Sequence, residues 1–102
     1  MMFPKKKRWT SKKYRDAAKG QPCTMRLSGV CNGNPETTVL AHRNGAGMAM
    51  KASDHDAADM CSACHDAYDG RASWADSRIR WAEFNRARLE TIINRIERGI
   101  LK

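Results

Sequence analysis

Cys61-Ser62-Ala63-Cys64-His65 sets two thiols two residues apart with an imidazole directly behind them, a spacing that belongs to metal or haem chemistry. Three templates fit it: half of a four-cysteine zinc site, the C-x-x-C-H signature of covalent haem attachment, and a hydrolytic metal centre in which the imidazole is a ligand. Two further thiols, Cys23 and Cys31, favour the first. If they sit at the two ends of a strand and turn, and Cys61 and Cys64 sit at a helix start, four thiolates can converge tetrahedrally on one Zn²⁺ and pin the strand to the helix. The C-x7-C half is looser than the usual two to four intervening residues. Haem would leave Cys23 and Cys31 without a role, although six methionines could serve as distal ligands.

His65 and Asp69 are four residues apart, so on a helix they share a face and could hold a second, hard divalent cation such as Mg²⁺, open elsewhere to water or phosphate. His42 ends an apolar, β-branched run and offers an imidazole suited to take a proton from water. A base, a cation and a basic segment are the parts of phosphodiester hydrolysis. The plainer alternatives are that His65 is a zinc ligand, Asp69 caps or pairs, and His42 is an ordinary buried strand histidine.

Charge supplies the basic segment. Of the formal +8 on 102 residues, +7 lies in residues 1–20, where Lys5, Lys6, Lys7, Arg8, Lys12, Lys13, Arg15 and Lys19 face Asp16 alone. Such a block, with Trp9 and Tyr14 among its cations, attracts phosphate backbones in a salt-dependent way, or else is a solvated tail that aids solubility. No apolar stretch follows Lys5 to Arg8 as in an export signal, and no run reaches membrane-spanning length, so a cytosolic protein without membrane partners is expected. In that compartment paired cysteines are more often metal ligands than disulfides. A chain of 11.5 kDa buries only a modest share of its surface, and a metal would supply the missing staple.

The elements that must position these groups follow from local pattern. Ser11 caps and Gly20 ends a short helix over 11–19. The near-alternation from Cys23 to Val30 predicts a strand, Asn32-Gly33-Asn34-Pro35 a turn, and Thr37 to His42 the return strand. Arg43 to Lys51 is an irregular connection. Ser53 or Asp54 caps a helix that carries Ala57, Ala58, Met60 and Cys61 to Tyr68 and ends near Gly70. A long amphipathic helix over 74–98 places Trp74, Trp81, Phe84, Ile92, Ile96 and Ile100 on its core stripe, widened by Leu89 and Ile93, with Arg78, Arg80, Arg86, Arg88, Arg95 and Arg98 on the other faces. The isoleucine stripe could also pair with a second copy as a homodimer.

With these residues in place the chain resembles an HNH endonuclease, whose order is a cysteine-bearing hairpin, a strand ending Leu40-Ala41-His42, and Cys61-x-x-Cys64-His65-x-x-x-Asp69. More narrowly, Gly29-Val30-Cys31-Asn32-Gly33-Asn34-Pro35-Glu36-Thr37 and Cys61-Ser62-Ala63-Cys64-His65-Asp66-Ala67-Tyr68-Asp69-Gly70-Arg71 are similar to the YbcO-like nucleases encoded by prophages. The similarity runs from about Lys12 to the C-terminus. It implies an α+β fold, a small zinc-stapled ββα-metal core over 21–102 with a basic arm or short helix over 1–20. It also implies that His42 is the general base and that His65 holds the catalytic metal, with Asp69 where some members place another ligand. Two positions depart from the pattern: Ala41 replaces the acidic or histidine ligand before the base, and the middle Asn is missing. Asp56 stands at the distance of that Asn, with Asp54 as the other candidate, and either could orient His42 or contact the metal. Nucleic acid, DNA before RNA, is the implied substrate, and a non-catalytic zinc module that binds nucleic acid or protein is the alternative.

Overall fold

The computed structural model describes residues 9–43, 53–69 and 77–101. Lys5, Lys6, Lys7, Arg8, the segment after Arg43 and Trp74 lie outside the described residues. The described residues form α1 (Lys12–Asp16), a 3-10 turn (Pro35–Thr37), β1 (Val39–His42), β2 (Ala57–Met60), α2 (Ser62–Tyr68) and α3 (Ser77–Glu97), an α+β arrangement around a two-stranded sheet.

Each boundary has a local cause. Ser11 accepts the Tyr14 amide at 3.1 Å and opens α1. Asn34 caps the 3-10 turn through the Glu36 amide, with Pro35 at the first position where no amide is needed. Helix α3 closes in a Schellman motif: Gly99 adopts φ +73°, the Ile100 amide reaches the Arg95 carbonyl at 2.8 Å and the Gly99 amide the Ile96 carbonyl at 3.0 Å.

The hairpin differs from the expected one. Strands β1 and β2 pair antiparallel with Val39 opposite Met60 and His42 opposite Ala57. Residues 23–30 form no strand; the Thr24 amide bonds the Asp59 carbonyl at 2.8 Å, and then the segment turns away. Ala57–Met60, expected to begin a helix, is the second strand, and that helix starts only at Ser62 with Cys61 as its cap. All four β2 residues are buried. Both faces are covered, so the strand lacks the alternation that would have marked it.

The face that α3 buries is also rotated from the expected stripe. Phe84, Ala87, Thr91 and Arg95 are fully buried, whereas Trp81, Leu89, Ile93 and Ile96 are exposed. Arg95 sits inside because Asp59 of β2 receives it in a two-pronged pair at 2.6 and 2.8 Å, and its Nε donates to the Tyr14 carbonyl at 3.1 Å. The guanidinium also lies 5.0 Å from the Tyr14 ring centre. This buried pair ties α1, β2 and α3 together. Burial pushes the Tyr14 phenol up to about 12.

Candidate metal centre and active site

The four cysteines converge. One ligand atom from each of Cys23, Cys31, Cys61 and Cys64 lies within 4.8 Å of the others, and all but Cys31 are buried. Cys61 and Cys31 sulfurs are 3.9 Å apart, far beyond a disulfide bond and close to the ~3.8 Å expected between thiolates on a tetrahedral Zn²⁺ with bonds of about 2.3 Å.

Backbone amides aim at these sulfurs. Cys64 N–H points at Cys61 Sγ (3.4 Å) and Arg26 N–H at Cys23 Sγ (3.5 Å). The amides of Asn32, Gly33 and Leu27 reach Cys61, Cys31 and Cys64. Arg26 takes a left-handed conformation, φ +46°, to make its turn. Burial raises the Cys64 and Cys31 thiols. Burial also opposes ionisation of Cys61, yet its amide and thiol donors bring it down to about 7. Four clustered thiols of this kind can be thiolates together only beside a cation, so the donor set fits a metal ion and is consistent with zinc. Helix α3 braces the loop: Arg86 donates to the Thr24 and Met25 carbonyls, both at 2.9 Å, and Arg26 forks onto Glu90 at 2.9 and 3.0 Å.

At the other end of the hairpin, His42 Nε2 lies 2.8 Å from Asp54 Oδ1. Asp54 is held from three sides, since its Oδ2 accepts the Ser11 amide and Arg15 Nη1, each at 2.7 Å. Its side chain is 5% exposed and that of His42 is 34% exposed. Burial alone would raise the Asp54 carboxyl, but the bonds from His42, Ser11 and Arg15 hold it below the ordinary aspartate value. A carboxylate on Nε2 fixes that nitrogen as the protonated one, which leaves Nδ1 as the acceptor. Trp9 completes the clamp, its carbonyl taking the Asp54 amide at 2.9 Å and its amide donating to Ser53 Oγ at 3.0 Å.

Asp56 is placed differently: it bonds Arg43 through Nε and lies 3.8 Å from Arg88 Nε. His65 Nε2 and Asp69 Oδ2 face each other at 3.0 Å along α2. That is the separation of neighbouring ligands on an octahedral cation with bonds of about 2.1 Å. Among the described residues, no third His, Cys, Asp or Glu gathers with them or with His42. Lys12 pairs with Asp16 at 2.6 Å, Lys13 is exposed, and Arg15 serves Asp54.

Arg43, Arg86, Arg88 and the amide donors of Leu27 and Asn32 join these sites without a sequence signal of their own. They converge from separate segments, and no spacing announces them.

The family profile described as "Putative nuclease YbcO" matches residues 12–98. A protein of that description from Escherichia coli K12 is 48% identical over 66 residues, covering 62% of this chain and 69% of its own length. One from Enterobacteria phage 82 matches with the same figures. A solved Escherichia coli K-12 structure, described as a "putative bacteriophage protein", superposes with a TM-score of 0.73 at 37% identity over 85% of this chain and 100% of its own.

Proposed function

The chain belongs to the YbcO family, and on that premise we propose that it is a metal-dependent endonuclease of the HNH type, hydrolysing phosphodiester bonds of nucleic acid with DNA as the expected substrate. The observation that carries the reading is the His42–Asp54 pair, an exposed-edge imidazole whose Nε2 is bound to a buried carboxylate. Residues 21–102 would be the nuclease domain and residues 1–20 its arm.

In this reading His42 Nδ1 takes a proton from the attacking water while Nε2–H stays on Asp54, whose charge stabilises the imidazolium that forms. The water oxygen bonds to phosphorus and the leaving oxygen departs. His65 and Asp69 would hold the catalytic divalent ion, Mg²⁺ or another, which when bound supplies positive charge against that developing on the phosphate. Cys23, Cys31, Cys61 and Cys64 would hold structural zinc. Lys12 and Lys13, with Lys5, Lys6, Lys7 and Arg8, would attract the backbone.

A second reading, a zinc module that binds without cutting, is favoured by the pairing of His65 with Asp69 at 3.0 Å, an i,i+4 contact that stands without a cation between them. Plasmid nicking with Mg²⁺, Mn²⁺ or Ni²⁺ tests the choice. Nicking by the wild type that His42→Ala and His65→Ala abolish supports the nuclease. Equal nicking by all three removes it, and binding without nicking selects the module.

A further inference from the structure

Three aromatic rings stack in sequence, from Tyr68 at the end of α2 to Phe84 and Trp81 on α3. Tyr68 and Phe84 lie 4.8 Å apart at 9°, and Phe84 and Trp81 lie 6.0 Å apart at 15°. The row begins in the core, where Phe84 is fully buried, and ends at Trp81, which is 46% exposed. Trp81 forms one wall of an open groove of about 400 Å³, shared with Arg43, Ser53, His55, Asp56, Asn85 and Arg88. That volume falls in the range used by small ligands.

The cations in this groove keep donor capacity. Arg43 gives Nε to Asp56, and among the described residues its terminal nitrogens have no partner. Arg88 is held weakly, 3.4 Å from Asn85 Oδ1 and 3.8 Å from Asp56, and its buried Nε has no hydrogen-bond partner. Two guanidiniums against one carboxylate leave net positive charge beside a flat exposed indole. A phosphate matches the first feature and a nucleobase the second.

Resting on the nuclease reading above, we infer that this groove binds an unpaired nucleotide, its base continuing the stack on Trp81 and its phosphate on Arg88 and Arg43. A base inside a duplex has both faces covered by its neighbours and cannot join the row; a single strand or a splayed end can. Arg43 directly follows His42, and side chains alternate along a strand, so the groove lies across the end of the hairpin from the His42–Asp54 pair. Single-stranded nucleic acid is therefore the preferred substrate class, or duplex only where a base is unpaired.

The test is binding of a fluorescein-labelled single-stranded 12-mer and its blunt duplex, without added divalent ion, to the full-length zinc-loaded protein and its variants. Expected are tighter binding of the single strand, a loss of about 5- to 150-fold in Trp81→Ala and near-wild-type binding in Trp81→Phe. Arg88→Gln should lower the salt slope by about 0.7. Melting curves confirm that each variant is folded. Duplex preference in the wild type, or equal single-strand binding by Trp81→Ala and wild type, overturns the groove assignment. If the plasmid assay still shows His42-dependent nicking in that case, the nuclease reading survives and only this inference falls. If the wild type binds neither oligonucleotide and nicks nothing, both fall.

Discussion

At the scale of single residues, Asp54 is the group on which most depends. It joins a side chain of β1 to the cap and first turn of α1, and its four-partner environment is almost closed to water. Asp54→Asn removes the charge that holds the His42 tautomer and sets an amide NH₂ against donors. Nicking is expected to fall by about 10- to 100-fold, the usual effect of losing a partner behind a reacting or ligating histidine; wild-type rates in that variant would make Asp54 a purely structural residue. Its pH signature has a definite sign. The folded carboxyl sits below its ordinary value, so its stabilisation is fully present above about pH 3.9 and is lost as pH falls through the lower folded value. Urea melts of Asp54→Asn should therefore show a flatter acid limb below about pH 4 than the wild type. A parallel limb would contradict the assignment. The sequence offered Asp54 and Asp56 as equals, because spacing before His65 cannot tell which carboxylate meets an imidazole and which meets two arginines.

At the scale of elements, α3 acts as the spine, and its hold on the sheet is ionic as well as apolar. Asp59→Ala would leave Arg95 buried without its counter-charge and is expected to cost about 3–5 kcal/mol in urea unfolding. Replacing both together, Asp59→Leu with Arg95→Met, should recover most of that loss; a double variant as unstable as the single would show that the charges are needed in themselves. This pair also explains what pattern alone could not disclose. Helical periodicity located α3 to within a few residues, but assigned Ile93 and Ile96 to the core and Arg95 to solvent, since an arginine reads as polar unless its buried aspartate is known. The same holds for β2. Ala57-Ala58-Asp59-Met60 has helix-forming composition, and becomes a strand only because Val39–His42 is there to pair with it. Conversely, Cys23 to Val30 alternates like a strand but is shaped by amides turned toward sulfur. The cysteine quartet was legible because compact C-x-x-C spacing is itself a chelate. The convergence of Arg43, Asp56, Arg88 and Trp81 was not, because it exists only after folding.

At the scale of the whole molecule, Cys23, Cys61 and Cys64 belong to the same buried core cluster as Met25, Leu27, Met60 and Phe84, and Cys31 packs against it. Without a bound cation four sulfurs, three of them buried, would crowd together unshielded, so Cys64→Ser or a strong chelator is expected to abolish the cooperative thermal transition. Metal analysis should find one zinc per folded, reduced chain, and a folded sample without zinc would refute the four-thiolate site. No helix among the described residues is long and apolar enough to cross a membrane. The hairpin is fastened at its two ends by unlike means. Met60 leads directly into Cys61 of the sulfur cluster, while His42 bonds Asp54, whose clamp is made wholly of protein hydrogen bonds. Fraying should therefore have a direction. With zinc partly withdrawn, amide exchange should accelerate first near Met60 and reach His42 last, so that the imidazole keeps its orientation after the opposite end of the ribbon has begun to open.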